Sequence, residues 1–92
     1  MKKVRVDGDL PEEGFYDQLF RELKEVRNRL ARQAGVPAYI VFSNATLADM
    51  VAKLPATQGE FLGVSGVGEQ KAKRYGEAFL EAIRQFLAEN QA

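Results

Sequence analysis

The stretch Leu62-Gly63-Val64-Ser65-Gly66-Val67-Gly68-Glu69-Gln70-Lys71 is the part of this sequence best equipped to do chemistry. A Gly-x-Gly turn that opens a helix lets backbone amides approach an oxyanion closely, and Lys71, one turn into that helix, adds a positive charge. It is not a nucleotide-binding P-loop, because the Gly-Lys-Ser/Thr ending is missing. The alternative is that the glycines only make a sharp turn between two helices, and spacing alone leaves both open. Enzyme chemistry has little else to work with. The chain has no His and no Cys, which removes the commonest general base, the commonest metal ligand and every thiolate site. The carboxylate pairs Glu12/Glu13 and Glu77/Glu81 could serve acid–base work or hold a metal, but a solvated acidic face explains them better. No catalytic residue, metal or cofactor is expected.

The Gly-Val-Gly turn resembles half of a helix–hairpin–helix, a module that holds DNA phosphates with backbone amides. Lys71 and Arg74 lie three apart and share a helix face, suited to successive phosphates of a strand or to pairing with Glu69, Glu77 or Glu81. Arg21, Lys24, Arg27, Arg29 and Arg32 spread over more than one helix face. They are read as a solvated surface paired with Asp17, Glu22 and Glu25. Tyr39 follows Pro37 in a connector, where an exposed ring can stack on an unpaired base. By residue pattern alone a half-buried core tyrosine is the plainer reading.

These residues must be positioned by a small core. The chain has 92 residues, 46% of them hydrophobic and 28% charged, with zero net charge. That length supports one domain. Zero net charge provides no bulk field to draw in a polyanion, although basic and acidic residues fall in separate blocks. The start, Met1 to Asp7, lacks the apolar run of a signal peptide, and no stretch is long and apolar enough to span a membrane.

Residues 1–13 read as a linker or arm, rich in turn-formers and charge. A first helix should begin near Gly14 and run to Ala34 on a stripe of apolar residues at steps of three and four. Gly35 should close it and Pro37 prevent its continuation. Residues 37–42 suggest a short helical turn or an extended connector, with Ile40, Val41 and Phe42 buried. Ser43-Asn44 offers an N-cap for a second full helix ended by Pro55. Thr57-Gln58-Gly59-Glu60 fits a capping box opening a short helix. Two further helices are expected, one through Lys71 and Tyr75 to about Gly76 and one carrying Phe79, Ile83 and Phe86. The expected core is Phe15, Phe20, Leu23, Leu30, Phe42, Leu47, Met50, Val51, Leu54, Phe61, Leu62, Tyr75, Phe79, Ile83 and Phe86.

From Phe15 to about Leu87 the chain resembles an HRDC domain, the helicase-and-RNase-D C-terminal module. The resemblance is carried by Leu19-Phe20-x-x-Leu23, by Val36-Pro37-Ala38-Tyr39-Ile40-Val41-Phe42, and by Ser43-Asn44-Ala45-Thr46-Leu47 and Leu54-Pro55. Phe61-Leu62-Gly63-Val64-Ser65-Gly66-Val67-Gly68, Lys71 and Tyr75-Gly76 complete it. It looks most like the domain of bacterial RecQ helicases, with an RNase D-like parent as the other option.

The resemblance implies an all-α bundle of about five short helices over residues 14–90, with a helical turn after the first. It implies a non-catalytic accessory domain of an ATP-dependent 3′-to-5′ DNA helicase acting in DNA repair and recombination, in the bacterial cytoplasm near the nucleoid. Such a domain binds single-stranded or partly duplex DNA weakly, as a monomer. Tyr39 maps onto an exposed tyrosine that contacts single strands, with Lys53, Lys71 and Arg74 as basic companions. The acidic residues Glu12, Glu13, Asp17, Glu77 and Glu81 suggest a second role. Neutral net charge departs from the basic pattern of DNA-binding members, and this acidic surface could dock on the helicase core or a sister domain without touching DNA.

Overall fold

Helix α1, Phe15–Ala34, buries Leu19, Leu23, Val26 and Ala31 along one stripe. These positions recur at about one helical turn, so a single face meets the core. Gly35 ends the helix in the left-handed region at φ 72°, and the amide of Val36 donates back to the carbonyl of Ala31. This closure needs a residue without Cβ strain at positive φ. The computed structural model describes residues 14–90, so the expected N-terminal arm lies outside the described residues.

Pro37 then sets an extended φ of −62° and caps a single turn, α2, Ala38–Val41. A helical turn therefore replaces the extended alternative. Helix α3, Asn44–Lys53, starts at Ser43, whose side chain accepts from the amide of Thr46. It stops where Leu54 turns left-handed at φ 49° ahead of Pro55, whose ring disfavours further helix. Helix α4, Gln58–Phe61, opens on Thr57, whose hydroxyl accepts from the amide of Glu60. The Glu60 carboxylate reaches back to the amide of Ala56 at 2.7 Å, one residue beyond the position a capping box uses.

The chain from Glu69 to Glu89 is one helix, α5. The division expected at Gly76 does not occur. Gly76 is buried inside α5, and a Cβ there would lie 2.7 Å from the Gln58 amide nitrogen. The glycine costs helix propensity but lets α4 close on α5, where the Gln58 amide donates to the carbonyl of Ala72 at 3.2 Å. The all-helical fold thus has five helices among the described residues, two of them long. Helix α1 contacts α2, α3 and α5, while α4 rests on α5.

The core centres on aromatic rings. Phe42 meets Phe61, Tyr75 and Phe79 edge-on, at centroid separations of 6.0, 6.1 and 5.3 Å. Edge-to-face pairs add about 0.5–1.5 kcal/mol each beyond burial. Leu62, expected inward, is 41% exposed. Neighbours in a helix point about 100° apart, so Phe61 and Leu62 cannot both face the core. Val64, beyond the turn, takes the second inward place. Phe15, Phe20, Leu30 and Leu54 pack only partly buried at its edge, and fully buried Leu19 lies at its centre.

Replacing Phe79 with Ala should cost about 3–5 kcal/mol, a large share of a small domain's stability. A chemical denaturation midpoint unchanged from the parent would refute this packing. Gly66 sits at φ 86°, and a Cβ there would come 2.3 Å from the hydroxyl oxygen of Thr46, a buried residue. Gly66→Ala should therefore destabilise by about 1–3 kcal/mol, read as a fall in Tm.

Candidate nucleic-acid interface

The α2 turn presents two apolar side chains to solvent, Tyr39 at 69% exposure and Ile40 at 42%. Burial of Ile40 was expected from the sequence and is not found. The cause is the geometry of a single turn. Val41 and Phe42 are both buried and anchor its C-terminal end, so the preceding two side chains face outward. The turn closes with the Ile40 amide on the Pro37 carbonyl at 3.0 Å. A rigid, exposed phenol ring results, and the half-buried alternative for Tyr39 is removed.

Two of the basic residues lie over aromatic rings of the core. The Lys71 ammonium sits 5.8 Å from the centroid of the Phe42 ring, and the Arg74 guanidinium 5.9 Å from that of Tyr75. Phe42 and Tyr75 are themselves in edge contact. Lys71 therefore lies over the residue that caps α2, while Arg74 lies over the ring of its own neighbour in α5. Rings hold cations loosely, at about 0.5–1 kcal/mol where exposed, and neither residue forms an ion pair with a described carboxylate.

Lys53 is placed differently. Its ammonium pairs with Asp49 at 2.8 Å and donates to the carbonyl of Gly63 at 3.0 Å. Asp49 also accepts from the amide of Ser65 at 2.8 Å. The pair ties α3 to the glycine-rich loop. It also answers the phosphate-cradle question in part, because one amide of that loop is already bound by a carboxylate of this chain. Gly66 packs on Thr46 and Gly63 lies close to the Glu60 carbonyl, so these glycines allow close approach between elements.

Among the described acidic residues, Asp17 and Glu81 line different grooves. Asp17 lines an apolar groove between α1 and α3 with Tyr16, Phe20, Ala48, Val51 and Ala52. Glu81 lines a polar groove between α1 and α5 with Glu22, Arg29, Gln85 and Glu89, and is bonded to Arg84. That hydrogen bond holds the Glu81 carboxyl below its ordinary pKa and raises that of Arg84. Glu77 is exposed on α5, one turn before Glu81. Glu12 and Glu13 lie outside the described residues. No cluster of three metal-ligating side chains occurs among the described residues, and no described helix is long and apolar enough to cross a membrane.

The basic block of α1 holds the residue that pattern reading misplaced. Arg27, expected on a solvated surface, is only 8% exposed. One terminal nitrogen donates to the carbonyl of Phe42 at 3.0 Å and to Oδ1 of Asn44 at 2.8 Å. Burial lowers its pKa from the ordinary value. The sequence carried a signal for this: Arg27 follows Val26 on the side of α1 that also carries Leu23 and Ala31.

Sequence comparison matches residues 17–83 to the HRDC domain. The chain belongs to the HRDC domain family. The ATP-dependent DNA helicase RecQ of Bacillus subtilis is 44% identical over 70 residues, covering 76% of this chain and 12% of that helicase. The RecQ of Pasteurella multocida is 41% identical over 71 residues, 76% of this chain and 11% of that protein. The ATP-dependent DNA helicase UvrD2 of Mycobacterium tuberculosis is 32% identical over 68 residues, 74% of this chain and 10% of that protein. This HRDC domain therefore corresponds to a small part of each relative. A solved structure, D. radiodurans RecQ HRDC domain 3, superposes with a TM-score of 0.77 at 38% identity, covering 80% of this chain and 97% of that one. An HRDC domain is an accessory module of such helicases.

The Asp49 bridge gives this HRDC domain a specific acid response. Its carboxyl is held below the ordinary value near 4, first by the Lys53 hydrogen bond and then by the Ser65 amide. A depressed folded-state pKa stabilises above the unfolded value and is lost as pH falls through the folded one. Asp49→Asn should lower Tm at pH 7, and the gap to the parent should close as pH falls below the ordinary carboxylate range. A gap that persists unchanged into acid would remove the carboxylate from this role.

Proposed function

We propose that this HRDC domain is an accessory module of a RecQ-like, ATP-dependent DNA helicase, contacting single-stranded DNA weakly and tuning which DNA structures the enzyme binds and unwinds. The observation that carries the reading is Tyr39, 69% exposed on a turn whose other end is buried; Lys71 lies over the Phe42 ring that caps that turn, and neither Lys71 nor Arg74 is ion-paired with a described carboxylate. The ring is a stacking platform for an unpaired base, and Lys71 and Arg74 are the phosphate contacts. Lys53 adds charge, but its ammonium is committed to Asp49 and Gly63. Ile40 extends the apolar platform. Stacking and phosphate contact are sequence-tolerant, so the domain selects structure rather than base sequence. It acts as a monomer within a larger nucleoid-associated chain.

Two phosphate contacts to a single strand set a log–log salt slope of about −1.4. Weak affinity with a shallow salt dependence suits a module whose parent supplies most of the binding. A second reading rests on the α1–α5 groove, where Glu22, Glu81 and Glu89 gather. That surface suits a basic face of the helicase core or of a sister domain, and Glu77 and Glu81 would carry the regulation.

The test is fluorescence anisotropy of the domain with a labelled single strand and a 3′-tailed duplex. Tyr39→Ala should weaken binding about tenfold, and raising salt from ~50 to ~200 mM should weaken the parent about sevenfold. Absence of binding at low salt overturns the DNA reading. Lysine at Glu77 and Glu81 would then be introduced into the full helicase, with a changed DNA affinity supporting the inter-domain reading.

A further inference from the structure

Arg27 carries a buried charge that no described carboxylate neutralises. Its two hydrogen bonds, to the Phe42 carbonyl and Oδ1 of Asn44, go to neutral acceptors and use a single terminal nitrogen, Nη1. Nε is fully buried and takes no partner. No described group accepts from the other terminal nitrogen, Nη2. A buried cation is costly unless an anion or a full set of acceptors compensates it, and unsatisfied buried donors are uncommon enough to need a cause.

The guanidinium reaches into the start of α3, a ten-residue helix whose first residue is Asn44. The amides of Asn44 and Ala45 have no backbone acceptor among the described residues, whereas that of Thr46 is taken by Ser43. Ser43, Asn44 and Ala45 are all exposed. A half-satisfied guanidinium, free helix N-terminal amides and an open approach thus converge, and the helix dipole favours negative charge there.

We propose that the Arg27–Asn44 notch is a phosphate-binding site, with Arg27 supplying the charge and the first turn of α3 supplying amide donors. It deepens the nucleic-acid reading, since Asn44 lies three residues beyond the turn that carries Tyr39 and a bound phosphodiester there would extend the contact surface past α5. Only the strand-binding arm of the test rests on that reading. The ligand is a phosphate oxyanion, whether in a nucleic-acid backbone or free.

The test leaves Arg27 in place, because removing it also cuts the bond to Phe42. Asn44→Asp supplies the missing carboxylate from within the chain and should occupy Arg27. Thermal melts at pH 7 would compare inorganic phosphate with chloride at matched ionic strength. The parent should gain on the order of 5 °C from phosphate near tenfold excess over its Kd, and Asn44→Asp should gain none beyond chloride. The second arm measures anisotropy of a labelled abasic single strand, which offers phosphates without bases. Asn44→Asp should weaken it severalfold more than Asn28→Asp, an exposed α1 position with the same charge change. Equal phosphate responses in the parent and Asn44→Asp overturn the site. A phosphate-specific gain with no Asn44→Asp effect on the abasic strand keeps the site and assigns it to free phosphate. Stacking by Tyr39 is read separately, on base-bearing strands, so either reading can fail alone.

Discussion

The structure depends on how Phe42 is held. Its ring lies among Phe61, Tyr75 and Phe79, and its carbonyl accepts from the buried Arg27. One residue thereby joins α1, the α2 turn, α4 and α5. Anchored at both ring and backbone, it leaves the short turn before it no freedom to rotate. Tyr39 and Ile40 are exposed as a consequence. The same ring lies under the Lys71 ammonium, so the packing that stabilises the bundle also sets a cation over the residue that caps the turn.

Connections between helices are held by polar groups rather than by apolar area. Asp49 binds both Lys53 and the Ser65 amide, while Lys53 also holds the Gly63 carbonyl. Gly66 comes against Thr46 and Gly76 against Gln58. The Asp49 and Lys53 bonds satisfy loop groups that would otherwise rely on water, and they use up chemistry that residue types alone seemed to offer. The glycine-rich loop has an amide engaged by Asp49, and Lys53 is bonded before any ligand arrives.

Zero net charge does not describe this surface. Lys71 and Arg74, over the Phe42 and Tyr75 rings, do not line the α1–α5 groove, where Glu22, Glu81 and Glu89 gather with Arg29. Attraction to a polyanion is then local and short-ranged, screened within about 8–10 Å at physiological salt. Such a surface suits weak, structure-selective contact. It also allows the acidic groove to meet a basic partner without competing for the same face.

Much of the fold was legible in the residues. Apolar spacing placed α1 and α3, Gly35 and Pro37 punctuated α1, and Ser43 and Thr57 announced their caps. Local hydrogen-bond chemistry and helical period determine such features, and both act over a few residues. The long-range decisions were not legible. Gly76 reads as a break until α4 is seen to need its missing Cβ. Leu62 and Ile40 read as core until Phe61, Val41 and Phe42 have taken the inward places. Sequence alone determined an all-helical domain and its caps, because these rest on residue type and near-neighbour spacing, whereas Tyr39 became a candidate only through the resemblance to the HRDC family. Only the tertiary structure decided which charges stay available and which are spent, burying Arg27 and engaging Lys53 while leaving Lys71 and Arg74 without an ion pair to a described carboxylate. That choice depends on which groups distant in the chain come within hydrogen-bonding distance once the core has closed.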